Sequence, residues 1–466
     1  MRNRAIVAAA ALAWGLAASG GALHGQWARI YGRSTDEVAN AVLAAPDGGY
    51  VVTGTSNNQG AAGNTGAFLW IVKVAGEGGV VWQHVWECAD LSEGFNRTGT
   101  VLAAPGGGYL LAASLKPRDL TASYAFLALV GPDGSLVWDK FYGGVGPGGV
   151  PLNFRIRNAC AASSGGFLVV GSVAVEASLD KDLWAARFDW DGRLLWQRRY
   201  GGPAAEDGFA VREESDGTFY LAGQTQTFGA GMNDAWVLNV DGQGDVLWQK
   251  AYGGPRNDVC RAMDIVAGGG VLMAGDTLSF GPGDTETWVL RLDRAGAVVW
   301  QMAFGGTGED RAGDVRADAD GGVVVVGSHT GRARDLFLLE LSAGGGLERR
   351  RTFGETIGVF ELSNETGLAV DLIEGGWVVA GVSDLFGAVR ADVLLVEISP
   401  AWERAACRFL KTVGTEAIET SAASVDSTTA SAATLAGPSD ARVPHDATLP
   451  WSSRPLCPSK KNRPRR

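Results

Sequence analysis

The chain has 466 residues, of which 68 are glycine and 20 % are charged, with a net charge of -11. That acidity excludes a nucleic-acid surface, which needs a basic stripe, and otherwise only favours solubility. So many glycines suit short strands joined by tight turns and exclude a mainly helical protein, because glycine adopts positive φ without steric cost.

The N-terminus pairs basic Arg2 and Arg4 with an apolar run from Ala5 to Ala18 and the small residues Ser19-Gly20-Gly21-Ala22. This is the pattern of a secretory signal peptide over residues 1–22, and it falls short of the roughly 20 apolar residues a membrane span needs. An uncleaved anchor is the alternative. A secreted, periplasmic or cell-surface protein that does not span a membrane is expected.

From Trp27 onward one unit recurs. Its anchor is plainest in Trp138-Asp139-Lys140-Phe141-Tyr142-Gly143-Gly144, Trp196-Gln197-Arg198-Arg199-Tyr200-Gly201-Gly202 and Trp248-Gln249-Lys250-Ala251-Tyr252-Gly253-Gly254. Trp27, Trp82 and Trp300 carry related copies, and Arg349 with Phe353-Gly354 a degenerate last one; successive anchors lie 55, 56, 58, 52, 52 and 49 residues apart. Each unit also holds a Gly-rich turn opening a β run, such as Gly270-Val271-Leu272-Met273, and a further apolar run such as Trp288-Val289-Leu290. With a short run before the turn, this gives four strands per unit.

Seven such units without helical periodicity predict an all-β fold, a seven-bladed β-propeller of four-stranded antiparallel blades over residues 26–410. Residues i and i+4 of a strand share a face, so each Trp and the aromatic four places on fill the wedge between blades. The offset from Lys73, Leu129, Arg187, Asn239 and Arg291 to the next Trp would put a Trp at Ala406 if it continued from Glu397, so Trp402 is out of register. Closure of blade seven by Trp27–Gly32 is therefore expected, with residues 401–410 as the alternative. Residues 411–466 are rich in Ser, Thr and Ala, end in a basic cluster and read as a disordered low-complexity tail.

Gly-x-x-x-Trp at the head of the outer strand resembles the tryptophan-docking repeats of quinoprotein-type propellers. The whole unit is more similar to the secreted bacterial and archaeal Gly/Trp-rich propeller-repeat proteins. Both resemblances imply architecture over residues 26–400. Quinoprotein dehydrogenases also carry vicinal cysteines and usually eight units, which this chain lacks, so no cofactor is implied.

Chemistry-bearing motifs are sparse. The four histidines are scattered, and there is no HExxH, GxSxG or P-loop. Cys160 and Cys260 lie in apolar runs and read as buried small hydrophobes, while Cys88 and Cys407 could pair in an oxidising compartment. One polar position recurs before the third strand: Asp182, Asp234, Glu286, Asp335 and Asp392. On one rim these acids would form a partial ring able to hold a metal cation; the competing reading is that each caps its own turn.

The expectation is thus a monomeric, extracytoplasmic, non-catalytic scaffold without cofactor. It would present a shallow face with exposed aromatics to a protein, glycan or surface partner. The alternative is an enzyme (lyase, hydrolase or quinone-dependent dehydrogenase) with ionisable groups converging on the central channel.

Overall fold

In the computed structural model the described residues are 27–32, 36–59, 65–88, 99–115, 122–143, 150–175, 181–281, 284–331, 334–353, 356–357, 360–361, 365–383 and 391–399, with four short C-terminal segments. The signal-peptide reading over 1–22, Cys407 and Cys457 lie outside these residues, and the side chain of Cys88 is not described.

The described residues form seven blade sheets that close a ring, each built on four antiparallel strands, in sequential order in blades one to six. Blade four shows the pattern: strands Glu206–Glu213, Phe219–Thr225, Asp234–Val240 and Val246–Gly253, from channel to circumference. A glycine at positive φ closes the tight turn between the first two of these strands (Gly217) and between the last two (Gly244).

Ring closure uses the N-terminal strand. Trp27–Gly32 pairs antiparallel with Asp392–Ile398, and Trp27 stands opposite Glu397. Trp82, Trp138, Trp196, Trp248 and Trp300 stand opposite Lys73, Leu129, Arg187, Asn239 and Arg291 in the same way. Blade seven thus joins one strand from the start of the ring to three from its end, and six strand residues hold the circle shut.

The core is not central. Seven buried apolar clusters lie between blades, one at each interface, including the seventh where Trp27, Tyr31 and Val393 meet Tyr50 and Trp70 of blade one. No blade can bury its faces alone, so stability comes from neighbour interfaces. Four of the five fully buried indoles belong to the third strands, Trp70, Trp184, Trp236 and Trp288, and the fifth is Trp86 on the outer strand of blade one.

The outer-strand indoles work differently, as docking pegs. Trp27, Trp82, Trp138, Trp196, Trp248 and Trp300 each donate Nε1–H to a turn carbonyl of the following blade, at 2.8–3.2 Å. Four residues on, Tyr31, Tyr200 and Tyr252 donate their hydroxyls to Gly78, Gly244 and Gly296 in the same turns at 2.7–2.8 Å. Those glycines open each Gly-x-x-x-Trp motif. At Gly296 a Cβ would lie 2.8 Å from the Trp248 ring, so the spacing records a peg on one blade and its socket on the next.

The outer strands of blades one to six also bulge one residue ahead of the Trp position, and in blades one to five that residue is an exposed aliphatic: Val81, Val137, Leu195, Leu247 and Val299. In the C-terminal region, 410–411, 416–419, 423–426 and 452–455 pair as fifth strands on the outer edges of blades six, five, four and seven. Composition gives no sign of this, because backbone ladders need no particular side chains.

Candidate functional site

Two places gather polar side chains: one rim of the ring and the central channel. On the rim, Asp182, Asp234, Glu286, Asp335 and Asp392 each sit at the start of a third strand, opposite Val173, Thr225, Thr277, His329 and Ser383. They are therefore distributed one per blade over blades three to seven. Asp182 pairs with Arg199 at 2.9 Å, and Asp234 Oδ2 accepts the Gly231 amide at 3.0 Å. Burial, with the nearby charge of Asp258, pushes the Asp234 carboxyl up to about 6. Among the described residues no three His, Cys, Asp or Glu side chains stand together as a metal-ligand group.

A second set of rim acids escapes the sequence reading. Glu206, Asp258 and Asp310 on first strands lie against Asp182, Asp234 and Glu286 of the preceding blade, each pair meeting over the first glycine after the outer-strand aromatic: Gly201, Gly253 and Gly305. Glu206 accepts the Gly202 amide at 3.0 Å and Asp258 the Gly254 amide at 2.8 Å, so these acids cap the Gly-Gly turn. The signal was available: Glu37, Glu206, Asp258 and Asp310 each follow the anchor aromatic by six positions.

The channel is built from the seven first strands. Six carry a β-bulge at the same register, where the ladder skips Asn40, Arg157, Phe209, Arg261, Gly313 and Leu368. In blade two Gly99, at φ 130°, takes the equivalent place. A bulge turns its extra side chain out of the ladder. Repeated around a ring, it aims one residue per blade inward, and all seven line a cavity of about 500 Å³. Blades three to five contribute Arg157, Phe209, Arg212 and Arg261, whereas blades one and two contribute Val42, Leu43, Val101 and Leu102. The Arg157 guanidinium lies 5.5 Å from the Phe209 ring centroid, in cation–π range.

The channel acids are engaged in holding blades together. Asp264 pairs with Arg212 at 3.2 Å and accepts the Ala317 amide of the next blade at 3.0 Å. Asp314 pairs with Arg316 at 2.8 Å and accepts the Val370 amide at 3.1 Å, and Asp371 accepts the Ala44 amide across the closure at 2.7 Å. Burial opposes charge on Arg316, but Asp314, Asp264 and Asp371 outweigh it and hold the guanidinium more firmly protonated than usual. Cys160 also lines the channel; burial pushes its thiol up to about 12, so it is neutral and not nucleophilic.

The ionisable groups thus converge in the channel, against the expectation of a shallow aromatic face. Among the described residues the exposed large hydrophobics are all aliphatic or Met. Of the histidines, His84 contacts the Gly134 carbonyl and His329 pairs with Asp310 at 3.1 Å, both within blade structure.

No family model matches this chain. No curated protein matches it either. Among solved structures it is similar to a protein of unknown function from Dyadobacter fermentans, at 13 % identity and a TM-score of 0.44, covering 80 % of this chain and 97 % of the other. It is also similar to an α-L-arabinanase of Penicillium chrysogenum (13 %, 0.37, 80 % and 97 %) and to a periplasmic gluconolactonase of Pseudomonas aeruginosa (14 %, 0.40, 69 % and 85 %). At these identities and scores the likenesses bear on no functional question. Among the described residues no helix is long and apolar enough to cross a membrane.

Proposed function

We propose that this chain is an extracytoplasmic, non-catalytic binding propeller that takes a small anion with an apolar body in its central channel. The observation that carries the reading is the pair of inward bulge residues Arg157 and Phe209 on consecutive blades, beside Arg261, whose guanidinium is held by Asp276 at 2.5 Å, all facing the aliphatic wall of blades one and two. Guanidinium groups recognise carboxylate or phosphate oxygens, and an aromatic ring with aliphatic neighbours suits the remainder of such a ligand. Export is supported by the basic, apolar and small-residue order of residues 1–22.

The non-catalytic part rests on engagement. Asp264, Asp314 and Asp371 each cap a backbone amide, and the neutral Cys160 thiol is a poor nucleophile. An acid–base pair needs carboxyl groups able to change protonation and partner during a reaction.

A thermal-shift screen of aromatic and aliphatic carboxylates and phosphates, followed by calorimetry on each hit, tests the reading. Arg157→Met is expected to weaken binding by about tenfold or more, the value of one lost charge-assisted hydrogen bond. If no acid in the panel binds, or if Arg157→Met and Phe209→Ser bind as the parent does, the channel is not the ligand site.

A further inference from the structure

The rim acids meet in pairs at successive blade interfaces, and comparison of three interfaces shows what one of them lacks. Between blades three and four, Asp182 and Glu206 converge over Gly201, and the Arg199 guanidinium binds Asp182 at 2.9 Å. Between blades five and six, Glu286 and Asp310 converge over Gly305, with Arg350 at 3.0 Å and His329 at 3.1 Å from Asp310. Both interfaces place a basic side chain beside two acids.

Between blades four and five, Asp234 and Asp258 converge over Gly253: a Cβ there would overlap Asp234 Oδ1 and stand 3.0 Å from Asp258 Oδ2. The position of Arg199, opposite the third-strand Trp, is occupied here by Ala251. The position of Arg350 is occupied by Gln301, whose oxygen accepts the Trp288 indole at 3.2 Å. No ion pair reaches either carboxylate among the described residues.

The hydrogen bonds are unevenly shared. Asp258 is well supplied: Gly254 N at 2.8 Å and Ser279 Oγ at 2.6 Å reach Oδ2, and Thr277 Oγ1 reaches Oδ1. Asp234 is 1 % exposed; its Oδ2 takes the Gly231 amide, but its Oδ1, the oxygen turned toward Asp258, has no hydrogen-bond partner. A buried, unpartnered carboxylate oxygen facing a second carboxylate is costly unless a positive charge sits between them.

We propose that Asp234 and Asp258 form a binding site for one hard cation, Ca²⁺ by its oxygen donors, which supplies between blades four and five the positive charge that Arg199 and Arg350 supply next door. Both carboxylates would be direct ligands, with backbone carbonyls and water filling the remaining positions that Ca²⁺ requires. Access is from the rim: the loop that caps Asp234 carries Met232, which is 66 % exposed. The site unites adjacent blades, so loading it raises the stability of the ring without touching the channel.

The test uses the full exported chain, stripped with chelator and then titrated with CaCl₂ at neutral pH. The expected result is one Ca²⁺ retained per chain by atomic emission, and a saturable rise in melting temperature of about 3–5 °C. Asp234→Asn, which keeps shape and the Gly231 contact, is expected to abolish both responses. Asp182→Asn, at the interface neutralised by Arg199, is expected to keep them. The proposal is overturned if the parent retains no Ca²⁺ and its melting temperature ignores Ca²⁺ at about 5 mM. It is equally overturned if Asp234→Asn still responds, or if only acidification stabilises the parent, which would make the occupant a proton.

Discussion

Gly296→Ala is the sharpest test of how the ring is held. Gly296 has φ 73°, a conformation that costs an alanine roughly 1–2 kcal/mol. Its added Cβ would also lie 2.8 Å from the Trp248 ring and 3.0 Å from the Tyr252 hydroxyl. Lifting that indole threatens the Trp248 bond to the Arg294 carbonyl at 3.2 Å and the Tyr252 bond to the Gly296 carbonyl at 2.7 Å. Each is worth about 1 kcal/mol. The expected total is about 3–4 kcal/mol, summed from the strain and the two bonds. Gly217 is the internal control: its φ is 84°, but nothing lies within 4 Å of an added Cβ. Gly217→Ala should therefore cost only the strain, about 1–2 kcal/mol. Denaturant unfolding of both variants measures the gap, and Trp248→Ala combined with Gly296→Ala should be less than additive because the peg is already gone. If Gly296→Ala and Gly217→Ala lose equal stability, the glycine is not a socket and the Gly-x-x-x-Trp spacing has another cause.

Three other outcomes follow from the same contacts. Deleting residues 1–32 should open blade seven and lower the melting temperature sharply or abolish folding, whereas deleting 1–25 should not, because Trp27, Ala28, Ile30 and Tyr31 are buried in two interface cores; equal melting of the two truncations would refute closure by this strand. Cys160 and Cys260 should resist alkylation at pH 8 until denaturant opens the ring, since burial pushes both thiols up to about 12; mass spectrometry of the native protein after iodoacetamide checks this. In metal-free protein, Asp234 titrates at about 6 when folded against 3.8 when not. Its contribution is therefore complete below pH 4 and is lost as pH rises through 6, on the order of 3 kcal/mol, and Asp234→Asn should flatten that slope in pH-dependent unfolding.

Much of the fold is legible in the chain because each blade must solve the same packing problem. A peg of fixed shape needs a socket of fixed size, so Trp248 and Gly296 recur at constant spacing and can be counted. The same arithmetic places Trp27 opposite Glu397 and thereby assigns the closing strand. The capping acids Glu206 and Asp258 obey it too, each six positions after its anchor tyrosine.

The sequence by itself therefore determined the blade, its repeat number and the strand that closes the circle, since those depend on contacts repeated locally at every interface. The channel lining was decided only by tertiary structure. A bulge sets the backbone and leaves the side chain unconstrained, so Asn40, Arg157, Phe209, Arg261 and Leu368 share a position without sharing any residue type that could betray it. The acid pair was likewise decided by tertiary structure: the anchor repeat aligns Ala251 with Arg199 and Gln301 with Arg350, but only the packing of adjacent blades brings Asp234 and Asp258 together over Gly253.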